Sequence, residues 1–190
     1  MLSRLLILFL LTASFAQAQD VITDDLHRFY AAFDAIHGSD DTSRHAALLD
    51  TLFIQPASPG QQAMFAARRY TPAEYLANIR DYPKFWQSLR DNARTIPQHA
   101  ENMQLGVDEL RQLYPELRPT DIYFTVGAFR SGGTITDGMV LIGSEISLGD
   151  STTDVSEFRP EHEWLQTLYT DRLGPELVFS ISTNTYIPSR

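Results

Sequence analysis

The sequence of 190 residues contains no cysteine, and its 15 basic residues include a single lysine, Lys84. Without cysteine, the chain has no disulfide, no thiolate metal site and no cysteine nucleophile. Acidic residues number 24, so the net charge is −9, and the chain lacks the basic surface with which a protein follows a phosphate backbone. We therefore expect no nucleic-acid partner.

Glycine and proline are limited to 10 residues each, which excludes a collagen-like or low-complexity chain. Apolar residues make up 43% of the sequence and aromatic residues 11%, enough for one buried core. The length lies within the usual range of about 100–200 residues for one domain. Because no internal repeat or linker divides the chain, the sequence predicts a single domain.

The first 18 residues have the pattern of a secretory signal peptide. Arg4 supplies a positive charge, residues 5–13 are almost wholly apolar, and Ala16 and Ala18 place small side chains at a cleavage site. The apolar run is too short for the roughly 30 Å hydrocarbon core of a bilayer. We expect cleavage after Ala18 and an exported protein, periplasmic or secreted, with no stable membrane anchor. The alternative is an uncleaved anchor.

Hydrophobic periodicity predicts an α+β fold, with N-terminal helices followed by a β-hairpin or small sheet. Thr71 and Glu74 have the spacing of a capping box, which marks a helix start. Residues 121–129 and 139–142 are β-rich and are predicted to form the hairpin, with a glycine- and threonine-rich loop between them. The predicted helices cover residues 21–36, 39–53, 61–69, 72–82, 83–89, 96–114 and 160–169.

The residues alone contain no complete active site. His162 and Glu163 begin the nearest approach to a His-Glu-x-x-His zinc motif, but Gln166 stands where the second histidine is needed. Since glutamine is a poor zinc ligand, we interpret this segment as an ordinary helix start. A further group of aromatic residues is interpreted as core rather than as a ligand cage: Tyr75, Tyr82, Phe85 and Trp86.

Three stretches carry a family resemblance: residues 82–86 (YPKFW), 114–116 (YPE) and, above all, 121–145 (DIYFTVGAFRSGGTITDGMVLIGSE). Over residues 21–182 the chain resembles the N-terminal part of a family of exported bacterial proteins of unknown function, described as predicted zinc-dependent proteases. In that family a Leu-Val-Phe segment enters a helix, and His-Glu-Tyr-Val-His-Thr-Gln-Gln follows three residues later. The resemblance implies that the two histidines hold zinc and that the glutamate activates water.

The chain departs from the family where the zinc motif is expected. Leu177, Val178 and Phe179 match the family's segment, but residues 183–190 are Thr-Asn-Thr-Tyr-Ile-Pro-Ser-Arg. No zinc ligand and no catalytic residue of the family can be placed on this chain. The resemblance therefore implies zinc for a full-length relative and no cofactor for this chain.

One lost base explains the departure. If the Ser182 codon ends in C and residues 183–190 are encoded by ACG AAT ACG TAC ATA CCC AGC AGx, reading one base upstream gives CAC GAA TAC GTA CAT ACC CAG CAG. That string encodes the family motif. We interpret residues 183–190 as an out-of-frame tail. Residues 19–182 are then the N-terminal part of a metalloprotease-like domain, which ends at the start of a zincin-like active-site helix.

The resemblance also suggests where a peptide or protein substrate would lie in a full-length relative. In zincin enzymes a strand beside the active-site helix pairs with the substrate backbone, and residues 123–129 or 139–142 are the candidates here. The residues near the substrate would be Arg130, Gly132, Gly133 and Glu145. The alternative is an ordinary hairpin loop with glycines at positive φ, and a surface carboxylate at Glu145.

Three functions are compatible with this sequence. The first is an N-terminal fragment of an exported zinc-dependent metalloprotease, inactive because the zinc motif is missing. The second is an exported binding or interaction module without catalysis, and the third is a zinc-dependent hydrolase of a non-peptide substrate. The nucleotide sequence after the Phe179 codon distinguishes the first two.

Overall fold

The computed structural model of the protein describes residues 20–117, 119–136 and 138–170. Its fold is α+β, as the sequence predicts, with helices packed against a small four-stranded sheet. The predicted signal peptide, the predicted start of the active-site helix at residues 177–182 and the predicted tail lie outside the described residues. No helix within the described ranges is long and apolar enough to cross a membrane.

Several helices begin where the sequence offers a cap. Asp41 and Ser58 accept hydrogen bonds from backbone N–H groups of the first turns that follow them, and Thr71 and Glu74 form the predicted capping box. The helices are α1 (Asp24–His37), α2 (His45–Leu49, between a 3₁₀ turn at Thr42–Arg44 and a π-helical turn at Asp50–Ile54), α3 (Pro59–Arg68), α4 (Pro72–Asp81), α5 (Pro83–Ala93), α6 (Ile96–Leu113), α7 (Ser144–Ser147) and α8 (Glu163–Thr170, after a 3₁₀ turn at Pro160–His162).

The sheet has the strand order β1-β2-β4-β3. β1 is parallel to β2, β2 is parallel to β4, and β3 is antiparallel to β4. Val21 and Ile22, predicted as the start of the first helix, form β1 because they pair with Ile122 and Tyr123. The strands are β1 (Val21–Ile22), β2 (Asp121–Thr125), β3 (Gly133–Thr136) and β4 (Met139–Gly143).

The predicted hairpin between residues 121–129 and 139–142 is wrong. Residues 133–136, predicted as loop, form β3 and reverse the chain once more, so β4 runs in the same direction as β2. The hairpin of this sheet is β3–β4, and β4 inserts between β2 and β3. β2 and β4 are therefore interior strands, and β3 lies at one edge.

The core is rich in aromatic rings. Tyr75, Tyr82, Phe85 and Trp86 are each at most 4% exposed, which confirms that they belong to the core. Phe129 completes the cluster, because its ring centroid lies 4.8 Å from that of Phe85 and it stacks on Trp86 at 5.5 Å. Such aromatic pairs add to the stabilisation that burial alone supplies.

A chain of buried polar groups links α1 through α3 to the end of β2. The buried Asp25 carboxylate accepts hydrogen bonds from the backbone N–H of Ser58, at 2.9 Å, and from its hydroxyl. Ser58 Oγ in turn accepts from the Gln61 N–H at 3.1 Å. The Gln61 amide then bonds both backbone groups of Val126, at 2.7 and 3.0 Å. Because each of these buried groups has a hydrogen-bond partner, this series of hydrogen bonds fixes the position of residue 126.

Candidate functional site

β3 forms one edge of the sheet, and the two-residue strand β1 forms the other. β3 pairs with β4 on one side, and no strand among the described residues pairs with its other side. Ile135, at its centre, is 64% exposed. Residues 133–136 include neither a charged residue nor a proline, the residues with which natural edge strands block further pairing. β3 is therefore open to pairing with an extended chain.

The ladder determines which backbone groups face this free edge. Just before β3, the carbonyl of Gly132 accepts a hydrogen bond from the Gly143 N–H at 3.0 Å. Because bonded pairs alternate along an antiparallel ladder, the bonded residues of β3 are Thr134 and Thr136. The N–H and C=O of Ile135 consequently face away from β4, toward the free edge.

Residues 126–132, which we name the clasp loop, connect β2 to β3. Ala128 and Phe129 have φ values of 43° and 64°, in the left-handed region, although neither is glycine. Such a conformation costs roughly 1–3 kcal/mol for each residue and persists only where the surrounding structure holds it. At Gly127 a Cβ atom would lie 2.9 Å from Ser131 O and 3.0 Å from Glu145 Oε1, so no side chain fits there.

Glu145 holds the clasp loop from the first turn of α7, directly after β4. Its side chain is completely buried, and the predicted alternative of a surface carboxylate at this position is wrong. Glu145 Oε1 accepts hydrogen bonds from the N–H groups of Gly127 at 2.9 Å and Phe129 at 3.0 Å, and Oε2 accepts from Gly127 at 3.0 Å. Burial raises the pKa of Glu145 to about 7, against the lowering effect of these hydrogen bonds.

Tyrosine hydroxyls complete the enclosure of the clasp loop. Tyr70 donates to the carbonyl of Gly127, and Tyr75 donates to that of Val126 at 2.7 Å. Burial, together with the nearby Glu145, raises the pKa of Tyr70 and Tyr75 above the usual tyrosine value. Both hydroxyls therefore keep the protons that they donate, and the backbone of the clasp loop is held from two sides.

Arg130 leaves the clasp loop toward solvent, and its side chain is 48% exposed. Its guanidinium donates to Glu74 Oε1 at 2.6 Å and to the carbonyl of Arg68 at 3.0 Å. It also lies 4.9 Å from the centroid of the Tyr70 ring. Arg130 thus fastens the clasp loop to α3 and α4 and places a cation near the start of β3.

The structure brings the four predicted substrate-proximal residues to one end of β3. Arg130 is exposed there, Gly132 ends the clasp loop, Gly133 begins β3, and Glu145 is buried behind the clasp loop. Neither Gly132 nor Gly133 has a positive φ, so the alternative of left-handed glycines is wrong at these positions.

The strands predicted to meet a substrate are placed differently. Residues 139–142 of β4 pair on both sides, with β2 and with β3. β2 lies between β1 and β4, and residues 126–129 leave the sheet for the clasp loop. Peptide pairing along residues 139–142 is therefore wrong for this sheet, and residues 123–129 lie in an interior strand or in the clasp loop. Of the two edge strands, β3 is longer than the two-residue β1.

His162 is part of the aromatic core boundary. Its Nδ1 is hydrogen-bonded to the Tyr82 hydroxyl at 3.0 Å, and its ring contacts Phe129 and Phe158. Burial lowers the pKa of His162. In the described ranges no group of three or more His, Asp or Glu residues could hold a metal ion. Residues 183–190, where the family's zinc motif is expected, lie outside the described ranges.

Sequence reasoning missed the residues that enclose the clasp loop: Gln61, Tyr70 and Tyr75. Their partners lie 51 to 65 positions away along the chain, so no local pattern reveals them. The β-rich composition predicts a strand through Phe129, whereas β2 ends at Thr125 because Gln61 takes both backbone groups of the next residue. The one local signal is Gly127, since glycine within a strand pattern marks a bulge or a close backbone approach.

A scan against protein-family models, a search of curated proteins and a search of solved structures each found no match. The resemblance to predicted zinc-dependent proteases stays a prediction.

Proposed function

We propose that the chain is the N-terminal, pre-catalytic part of an exported zinc-dependent peptidase-like protein, and that an extended peptide pairs with it along β3. The observation that carries this proposal is the free antiparallel edge of β3, with the exposed Ile135 at its centre. Backbone pairing at a sheet edge accepts many side chains, which suits a protein that receives varied peptides.

The enzymatic part of the proposal is supported by the family resemblance and by the shifted reading of the last codons. Zinc would be held by motif histidines that this amino-acid sequence does not contain. No step of a zinc-dependent reaction is therefore assigned to this chain. In its present form it binds peptides without cleaving them, and we expect well under one zinc ion per chain after dialysis.

Calorimetric titration of the purified chain with short, unstructured peptides rich in β-branched residues tests the binding part. Ile135→Pro removes an N–H that faces the free edge but breaks no bond to β4, so it should weaken peptide binding at least about tenfold. Ile135→Ala keeps that N–H and is the matched control. Equal binding by wild type and Ile135→Pro would contradict pairing along β3.

Sequencing the gene from the Phe179 codon onward tests the enzymatic part. A shifted frame that encodes His-Glu-Tyr-Val-His and continues supports the peptidase ancestry, and the protein made from the restored frame should then bind zinc and cleave peptides. If no such frame exists but peptides bind at β3, the chain is an exported binding module without catalysis.

A further inference from the structure

We infer that Glu145 is a positioning residue for the peptide edge, because its buried carboxyl group closes the clasp loop onto the end of β4 and so sets where β3 begins. The part of this inference that concerns peptide binding rests on the proposed function. Glu145 does not touch the edge itself, and it acts through the backbone of residues 127 and 129.

The clasp loop needs an outside constraint. Two adjacent non-glycine residues, Ala128 and Phe129, have positive φ, a strained arrangement that an unconstrained loop would relax. The Glu145 carboxyl group accepts hydrogen bonds from the N–H groups of Gly127 and Phe129, which lie on either side of Ala128. These bonds hold the backbone in a concave turn whose N–H groups point at one acceptor, the arrangement by which backbones bind anions.

The clasp loop continues directly into β3. The hydrogen bond from the Gly143 N–H to Gly132 O joins the last residue of the loop to the end of β4, two residues before Glu145. Hydrogen bonds therefore join the clasp loop both to the end of β4 and to the Glu145 carboxyl group that follows it. If the carboxyl group leaves, the N–H groups of Gly127 and Phe129 lose their acceptor. The backbone that leads into β3 can then relax from its strained conformation.

The titratable groups that face Glu145 are tyrosines from four parts of the chain. Tyr30 on α1, Tyr70 before α4 and Tyr75 on α4 lie within electrostatic range of the carboxylate. Tyr169 on α8 donates to the backbone carbonyl of Glu145 at 2.6 Å. In the part of the chain that the structure describes, the ion pairs include none with Glu145. Within the described ranges, an ionised Glu145 carboxylate therefore has no paired cation.

Opening of the clasp loop is thus coupled to protonation. Glu145 titrates at about 7 in the closed state and near its ordinary value of 4.5 once it reaches water. A raised carboxyl pKa favours the closed state below 4.5, and this preference is lost as the pH rises through 7. The ratio of open to closed loops should rise on the order of a hundredfold across this range.

Hydrogen exchange measured residue by residue on the full chain, between about pH 5 and about pH 8, tests this inference independently of any peptide. After correction for intrinsic exchange rates, the amides of Gly127 and Phe129 should lose protection as the pH rises. In Glu145→Gln, which keeps the shape and an acceptor oxygen but cannot ionise, their protection should not change with pH. The Phe124 and Ile142 amides on β2 and β4 are the internal controls.

A loss of protection shared equally by β2 and β4 would mean that Glu145 acts only through global unfolding, and would overturn the positioning role. An unchanged profile in wild type would overturn it as well. Calorimetric titration with the β-branched peptides should show weaker binding at the higher pH in wild type, and constant binding in Glu145→Gln. If no peptide binds at any pH while the exchange result holds, the proposed function fails and the role of Glu145 in positioning β3 stands.

Discussion

α5 and α6 are consecutive helices, and each has a proline in its first turn and an apolar stripe. The stripe of α5 is buried, whereas most of the stripe of α6 is not. α5 buries Phe85, Trp86 and Leu89 completely. The Trp86 ring contacts Phe29 of α1, and both α5 rings contact Phe129 of the clasp loop. α6 buries Ile96 alone among its 18 residues, and Leu113 at its end is 75% exposed. A helical period therefore shows which face of a helix is apolar, but it does not show whether the fold provides a surface to cover that face.

The two helices also differ in the polar groups around them. Near α5, a fully buried glutamate and the backbone of a strained loop satisfy one another. Along α6, the carboxylates Glu101 and Glu109 are exposed to water. Substitutions near α5 should therefore have large effects on folding, and matched substitutions on α6 should have small ones.

The largest effect is expected from Phe85→Ala. Removing a completely buried phenylalanine should lower the free energy of unfolding by about 3–5 kcal/mol. Leu113→Ala, the matched change on α6, should stay within about 0.5 kcal/mol of wild type. Urea unfolding followed by circular dichroism measures both. A loss above about 2 kcal/mol for Leu113→Ala would mean that α6 is covered in solution and would remove the contrast.

The next effect concerns pH. The pKa of Glu145 is about 7 in the folded chain against an ordinary value of 4.5, so its stabilising contribution is full below 4.5 and is lost as the pH rises through 7. The corresponding loss in the free energy of unfolding is roughly 3 kcal/mol.

Urea unfolding at a series of pH values, compared between wild type and Glu145→Gln, isolates this contribution from those of the other carboxylates. The free energy of unfolding of wild type minus that of Glu145→Gln should be smallest at high pH. Glu109→Gln, on α6, is the control and should follow wild type throughout. Parallel curves for wild type and Glu145→Gln would show that the buried carboxyl group does not titrate in this range.

The smallest effect is expected at the helix caps. Thr71→Ala removes the hydroxyl that accepts from the Glu74 backbone N–H but keeps the backbone N–H that donates to the Glu74 side chain, so it should cost about 1 kcal/mol. Thr95 occupies the same position before α6 but makes no capping hydrogen bond, so Thr95→Ala should cost less. Thermal unfolding of both variants measures the difference, and equal losses would contradict it.

Local signals predicted those parts of the fold that local contacts determine. The capping box at Thr71 and Glu74 marks the start of α4, and the apolar period from Ile96 marks α6 to within one residue of its end. Strand direction is a different matter. Because β3 lies in a glycine- and threonine-rich segment that resembles a loop, its reversal of the chain was not predicted, and the parallel pairing of β2 with β4 followed from it.

The candidate site was predicted in part. The segment from Arg130 to Glu145 does contain the free edge and the group that holds its loop. The burial of Glu145 and the positive φ of Ala128 and Phe129 depend on contacts with Tyr70, Tyr75 and Gln61, which no spacing along the chain encodes. Strain at non-glycine residues is stable only when the whole fold enforces it, so local sequence rules do not predict it.

The stacking of Trp86 on Phe129 has a spectroscopic consequence. The indole of Trp86 is completely buried, and its N–H has no hydrogen-bond partner among the described residues, so its emission should be blue and shielded from dissolved quenchers. The other tryptophan, Trp164 on α8, is 50% exposed, and iodide can quench it selectively. Once iodide has quenched Trp164, the remaining tryptophan fluorescence comes from Trp86, whose ring contacts Phe129 of the clasp loop. The unlabelled protein therefore contains its own optical probe of that loop.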